Sequence, residues 1–130
     1  MTTPFFCLIL LVILAFSPRP ITIAGAIREL GRYDNRNPRG IFDKTSGLGK
    51  RAQAAHLNTL EALTVFAPAV FVAHLGGADP KLAAALSVAF IVIRCAYLAC
   101  YLADAASMRT TVWFLGFGTT LALYLSPLFR

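Results

Sequence analysis

Apolar residues fall in four long runs: Pro4 to about Leu30, Ala52 to Leu75, Leu82 to Ala103, and Thr110 to Phe129. Each is near the ~20 residues with which an α-helix crosses a ~30 Å hydrocarbon core. Between Leu30 and Arg51 the pattern is broken by Gly31, Asn35, Asn37, Pro38, Gly40, Gly47 and Gly49 together with several charges. That composition predicts a solvated loop over about 31–51. The next connection, Gly76-Gly77-Ala78-Asp79-Pro80, is short and ends in a proline placed to start a helix, which predicts an antiparallel hairpin of the second and third helices. The third connection, around Ala103 to Met108, is also short, and Ser126-Pro127 disfavours helix at the end of the fourth run. The pattern predicts an all-α fold: an integral membrane four-helix bundle, one domain over 1–130, without internal repeats.

The first run is interrupted by Ser17-Pro18-Arg19-Pro20 after about a dozen strongly apolar residues, and Ile21 to Ala26 then resumes it. A broken or kinked helix is expected there. A cleaved signal peptide is the rival, but no basic residue precedes Phe5.

Composition agrees with the pattern, since 58% of the residues are hydrophobic and only 14% charged. The formal net charge of +6 is uneven: Arg28, Arg32, Arg36, Arg39, Lys44, Lys50 and Arg51 cluster in or beside the first loop, against Glu29, Asp34 and Asp43. By the positive-inside rule this loop and the Asp104 to Arg109 turn face the cytoplasm, and both termini and the Gly76 turn lie outside. On so apolar a chain a basic cluster is first a topology signal, and no nucleic-acid partner is expected. Cys7, Cys95 and Cys100 fall within membrane runs without metal-site spacing and are expected to be packing residues. His56 and His74 have no second ligand at a useful spacing, so no metal site is expected, and no Cys or Ser triad is evident.

Polar residues inside the runs need a reason, because lipid makes them costly. At about 100° per residue, Arg51, Asn58 and Glu61 lie within roughly 80° of one another and form one stripe on the second helix. His56 falls nearly opposite and reads as a packed or interfacial histidine. On the third helix Arg94, Tyr97 and Tyr101 follow at i, i+3 and i+7, with Ser87 and Phe90 continuing the line. A cation near mid-helix must find an anion or water, and Glu61 is the carboxylate well inside a span, so an Arg94–Glu61 pair is expected, within a chain or across a subunit boundary. Two readings stay open at this point. These groups hold the bundle together, or they line a pocket, open to the cytoplasmic side, for an anionic or zwitterionic ligand. In the second case Arg51, Arg94 and Arg109 supply charge, and Asn58, Tyr97, Tyr101 and Thr110 supply hydrogen bonds.

The segment Arg51-Ala-Gln-Ala-Ala-His56-Leu-Asn58-Thr-Leu-Glu61, followed by Phe66-Ala-Pro68, resembles the helix-two motif of the MAPEG family, the membrane-associated proteins in eicosanoid and glutathione metabolism. Arg94-Cys-Ala-Tyr97-Leu-Ala-Cys-Tyr101, then Met108-Arg109-Thr110 and Trp113, is similar to the pattern of its third helix and the start of its fourth. The resemblance covers most of the chain and is nearest to the short bacterial members.

The resemblance implies a homotrimer in the bilayer, in the bacterial inner membrane, holding glutathione as co-substrate between subunits near the cytoplasmic face. It implies that Asn58 and Glu61 bind the peptide part of glutathione, that Arg51 and Arg94 hold carboxylates or order the site, and that Tyr97 and Tyr101 add hydroxyl contacts. Arg109, with the Thr110 hydroxyl beside it, would sit near the sulfur as the catalytic group. The implied activity is a glutathione-dependent transferase or peroxidase acting on a small lipophilic electrophile. Leu57 stands where eicosanoid-synthesising members often carry an arginine, and Tyr97 where some carry histidine. The first-helix arginine of the site is Arg28 or Arg32. The alternative from another class is a non-catalytic protein of this fold, with a structural, ligand-binding or transport role.

Overall fold

The computed structural model describes residues 1–129. Six helices run in chain order: α1 Thr3–Phe16, α2 Arg19–Leu30, α3 Pro38–Lys44, α4 Gly47–Leu75, α5 Pro80–Leu102 and α6 Ala106–Leu125, closed by a 3-10 turn, Ser126–Phe129. Among the described residues there is no strand. Four segments, Thr3–Leu30, Gly47–Leu75, Pro80–Leu102 and Ala106–Phe129, are long and apolar enough to cross a membrane.

Local chemistry sets the boundaries. Pro18 and Pro20 lack the N–H a continuing helix needs, so α1 ends at Phe16 and α2 restarts at Arg19. The Ser17 hydroxyl donates to the Leu14 carbonyl at 2.8 Å, closing the broken end. Gly31 stops α2 in the left-handed region, φ 73°, where a side chain would be strained. Asp79 caps α5 by accepting the Leu82 N–H at 2.8 Å, with Pro80 as the first helical residue.

The segment expected to be a solvated loop is more structured than its composition suggests. Asn37 accepts the Gly40 N–H at 3.1 Å and starts α3, whose Ile41 and Phe42 are buried with Ala26 beneath them. α4 begins at Gly47, five residues before the apolar run, because its start is anchored from outside: the Ser46 N–H donates to the Glu29 carboxylate at 2.7 Å. Hydropathy detects where a helix enters lipid, not where its hydrogen bonding begins. α6 likewise starts at Ala106 rather than Thr110.

α4 is the central helix, with α1, α2, α5 and α6 all packed on it. The main core joins Cys7 and Leu11 of α1, Phe66 and Val70 of α4, Phe90 of α5 and Leu123 of α6, with the Phe66 and Phe90 rings stacked at 4.0 Å. At the α2–α4 crossing, Gly25 and Gly49 meet so closely that a Cβ on Gly25 would lie 2.7 Å from the Gly49 Cα. Such close backbone approach between small residues is how helices associate in lipid, where the hydrophobic effect cannot draw them together. Arg19 donates to the Gln53 side chain at 3.0 Å across the same crossing. The outer surface carries large apolar side chains, among them Ile13, Val92 and Phe114, each over 60% exposed, as expected of a surface covered by lipid or by further protein.

His56 is buried and its Nδ1 donates to the Ala15 carbonyl at 2.6 Å, with Phe16 packed edge-on at 5.2 Å. It therefore ties α4 to α1 at the point where the prolines interrupt the backbone ladder, the packed role rather than an interfacial one. His56→Phe keeps the ring shape but leaves that carbonyl unpaired, at a cost of about 1–3 kcal/mol. The variant is expected to melt several degrees lower, while any stabilisation by an added ligand stays unchanged in the same thermal scans.

Candidate functional site

Arg94 is 3% exposed, deep in the bundle. A buried guanidinium needs acceptors, and α4 supplies two: Arg94 Nη2 donates to Asn58 Oδ1 at 3.1 Å and to Thr59 Oγ1 at 3.1 Å. The Thr59 hydroxyl passes its own proton to the Ala55 carbonyl at 2.8 Å. Asn58, one helical turn before Glu61, donates from Nδ2 to Glu61 Oε2 at 3.3 Å. Within one chain the expected Arg94–Glu61 pair does not form as a direct ion pair. Asn58 stands between them with its amide bridging cation and anion, because it can accept from one and donate to the other. The bridge lies within one chain. Arg94 Nε is buried without a hydrogen-bond partner among the described residues.

Asn58, Glu61 and Arg94 form the polar wall of a cavity of about 150 Å³ between α4, α5 and α6. Its other walls are apolar, chiefly Val65, Phe90, Trp113 and Phe117. Trp113 and Phe117, one turn apart, stack at 5.5 Å.

From Arg94 a ladder of rings runs along α5 toward α6. The guanidinium lies 4.2 Å from the centre of the buried Tyr97 ring, Tyr97 meets Tyr101 edge-on at 5.5 Å, and Arg109 lies 4.4 Å over Tyr101. Cation–π contacts of this kind gain strength as water is excluded. They place Arg109 at the start of α6, one end of a stack whose other end is the Asn58–Arg94 network.

Arg51 stands apart. Its Nε donates to the Leu102 carbonyl at 3.3 Å and its Nη1 lies 3.7 Å from Asp104, so it neutralises the exposed C-terminal end of α5. Arg51 and Asn58 share a face of α4 but lie seven residues apart, about 10 Å along the axis. Thr110 is exposed, and its hydroxyl donates to the Ala106 carbonyl at 3.2 Å. Arg28 and Arg32 are exposed at the loop end.

Of the residues singled out in the sequence, the fold thus brings Asn58, Glu61 and Arg94 to one cavity and joins Tyr97, Tyr101 and Arg109 to it through aromatic contacts. Arg51 and Thr110 do not line that cavity. Sequence reading missed Thr59 and the α6 wall. A buried guanidinium asks for more than one acceptor, but nothing in the sequence picks out Thr59 as the second, and Trp113 and Phe117 sit in an apolar run that carries no sign of which face turns inward. Cys95, expected to pack, is exposed, while Cys7 and Cys100 are buried.

A family model described as the MAPEG family matches residues 2–129. No curated protein matches the chain, and no solved structure does.

Proposed function

The chain belongs to the MAPEG family, and on that premise we propose that it is a glutathione-dependent transferase or peroxidase of the membrane, acting as a homotrimer on a lipophilic electrophile. The observation that carries the reading is the Arg94–Asn58–Glu61 network, set on the wall of a cavity that is otherwise apolar. Such a wall suits a zwitterionic peptide: Arg94 and Asn58 for a carboxylate or amide, Glu61 for the amino group. The orphaned Arg94 N–H supports a ligand acceptor at this point.

One protomer's cavity of about 150 Å³ falls short of the ~300 Å³ at the lower end of small-molecule sites. A site completed by a neighbouring subunit supplies the missing volume, with Arg51 and Arg28 or Arg32 lying on the loop side from which a polar ligand would enter. Trp113 and Phe117, at the exposed mouth, are placed to meet a cosubstrate arriving from lipid.

A free thiol of pKa ~8.5 is mostly protonated at neutral pH, and its thiolate is the nucleophile. In this reading Arg109 stabilises the thiolate, held in place by the Tyr101 ring, and the Thr110 hydroxyl turns from the Ala106 carbonyl to donate to the sulfur. The thiolate sulfur then attacks an epoxide carbon, breaking its C–O bond to give an alkoxide that takes up a proton, or the oxygen of a hydroperoxide, breaking O–O to release an alcohol and leave a sulfenic acid that a second glutathione converts to the disulfide and water. Asn58, Glu61, Arg94, Tyr97 and Tyr101 bind and orient the peptide, and the basic loop faces the cytoplasm, where glutathione is supplied.

A second reading, binding without chemistry, draws on one observation: Arg109 and Thr110 lie outside the cavity that Asn58, Glu61 and Arg94 line.

The test is a glutathione titration of the detergent-purified protein, followed by its thermal stability, on wild type and Glu61→Gln. A ligand that binds the folded state alone raises stability by about 2.7 kcal/mol at a hundredfold excess over its dissociation constant. A saturable rise is expected for wild type, and at least tenfold weaker response for Glu61→Gln with an unchanged melting point without ligand. Equal stabilisation of the two proteins would remove Glu61 from the site. Binding without consumption of glutathione across a panel of epoxides and hydroperoxides would favour the second reading.

A further inference from the structure

Between residues 28 and 51 there are seven Lys or Arg against three Asp or Glu, a net charge of +4. Among the described residues the only ion pair is Arg51 with Asp104, so Arg28, Arg32, Arg36, Arg39, Lys44 and Lys50 are left without carboxylate partners. The acidic side chains nearby have other tasks: Glu29 accepts the Ser46 N–H at 2.7 Å, and Asp34 accepts the Arg36 N–H at 2.9 Å. Topology alone would be served by these charges on a loose loop. Instead α3 folds back, burying Ile41 and Phe42 against the bundle, and encloses a concave pocket of about 250 Å³.

The pocket joins two kinds of wall. Leu30 and Ile41 are apolar, while Arg32, Lys44 and Asn37 present donors. The Asn37 carbonyl oxygen is held by the Gly40 N–H, which leaves its amide protons to donate. Asp34 also lines the pocket and offsets part of the charge, leaving one net positive unit there.

Its depth in the membrane follows from helix length. The segment Thr3–Leu30 has 28 residues and Gly47–Leu75 has 29, and at 1.5 Å per residue each is about 40 Å long. Since the hydrocarbon core is ~30 Å thick, the end of α2, the start of α4 and the pocket between them sit at headgroup level. A phosphate there would meet Arg32 and Lys44, with its glycerol on Leu30 and Ile41.

We propose that this pocket binds the phosphate of an anionic glycerophospholipid, a site separate from the Arg94 cavity that engages Arg32 whether or not glutathione is bound. A direct charge-assisted contact to a phosphate is worth roughly fivefold or more in affinity, about thirtyfold for the two residues that line the pocket, whereas basic residues outside it act on a single lipid in neutral detergent only through screened, longer-range attraction.

The experiment uses full-length protein in a neutral detergent, without glutathione, titrated with phosphatidylglycerol, phosphatidylcholine or inorganic phosphate while thermal stability is followed. Phosphatidylglycerol is expected to stabilise the wild type saturably, phosphatidylcholine and inorganic phosphate not. Arg32→Gln with Lys44→Gln should weaken the response about thirtyfold. Arg36→Gln with Lys50→Gln, the same charge change outside the pocket, should cost less than fivefold. Equal losses in the two double variants would show diffuse attraction and overturn the site, as would an equal response to phosphatidylcholine or to inorganic phosphate. All four positions are exposed, so the variants test binding rather than folding, and a melt of each without lipid confirms it.

Discussion

Arg94→Met is expected to leave the purified protein about as stable as wild type and to weaken its stabilisation by glutathione at least tenfold. The two effects separate because the guanidinium has a small structural value and a large one toward a ligand. A cation at the centre of a membrane helix costs about 2.5–3.5 kcal/mol on insertion scales. Against that, hydrogen bonds between membrane helices average only about 0.6 kcal/mol each, Arg94 makes two, to Asn58 and Thr59, and its cation–π contact with Tyr97 adds about 2 kcal/mol, so the two sides nearly cancel. Methionine fills comparable volume and strands no donor: the Thr59 proton stays on the Ala55 carbonyl and the Asn58 amide on Glu61. A charge-assisted bond from the free Arg94 Nε and the rest of the guanidinium to a ligand carboxylate is worth about 1.5–3 kcal/mol, at least a tenfold change in affinity, with Glu61 also left without its bridged counter-charge. The measurement is melting temperature with and without glutathione. A variant that melts far lower yet keeps its full glutathione response would make Arg94 a structural cation and withdraw it from the site.

Gly25→Leu is expected to be the most damaging single change at the helix contacts. Its Cβ would lie 2.7 Å from the Gly49 Cα and 3.3 Å from the Gly49 nitrogen, both backbone atoms that no rotamer change can move. α2 would have to lift from α4, straining the Arg19–Gln53 bond and the Glu29 anchor of the α4 start as well. Overpacking of this type costs about 1–3 kcal/mol or more, and a drop of about 5–15 °C in melting temperature is expected. Gly118→Ala provides the contrast, because a Cβ there meets nothing within 4 Å. It should be neutral to lipid packing and gain up to about 1 kcal/mol in helix propensity. If both substitutions shift the melting temperature alike, close packing at the α2–α4 crossing is not what holds those helices.

The two variants probe different levels of legibility. The cost of a charge in lipid made Arg94 stand out in the sequence, and helical spacing put Asn58 and Glu61 on one face. The partner of Arg94 was not legible, since Thr59 points about 100° away from Asn58 on a straight helix and only the seating of α5 on α4 lets one guanidinium reach both. The Gly25–Gly49 contact was still less legible: in the sequence Gly49 reads as part of a solvated loop and Gly25 as one more position of the apolar stretch Ile21 to Ala26, and only the crossing of two helices gives them a packing role. Arg51 shows the reverse case, a residue whose contacts within one chain its helical spacing does not foretell. It shares the stripe of Asn58 and Glu61, yet the end of α5 with its unsatisfied carbonyls and Asp104 stands nearer and takes the charge.

The sequence by itself determined the four apolar segments, the break at Pro18, the Asp79–Pro80 helix start and the candidate polar residues, because these follow from the cost of charge in lipid, the missing N–H of proline and the period of the helix, all local properties. Tertiary structure alone decided that Asn58 bridges Arg94 to Glu61, that α3 folds back into a basic pocket, and that Trp113 and Phe117 wall the cavity. Those depend on which faces of separate helices meet, and in a chain apolar on nearly every face hydrophobicity cannot tell a neighbouring helix from lipid, so close packing and the few polar partners within reach make the choice.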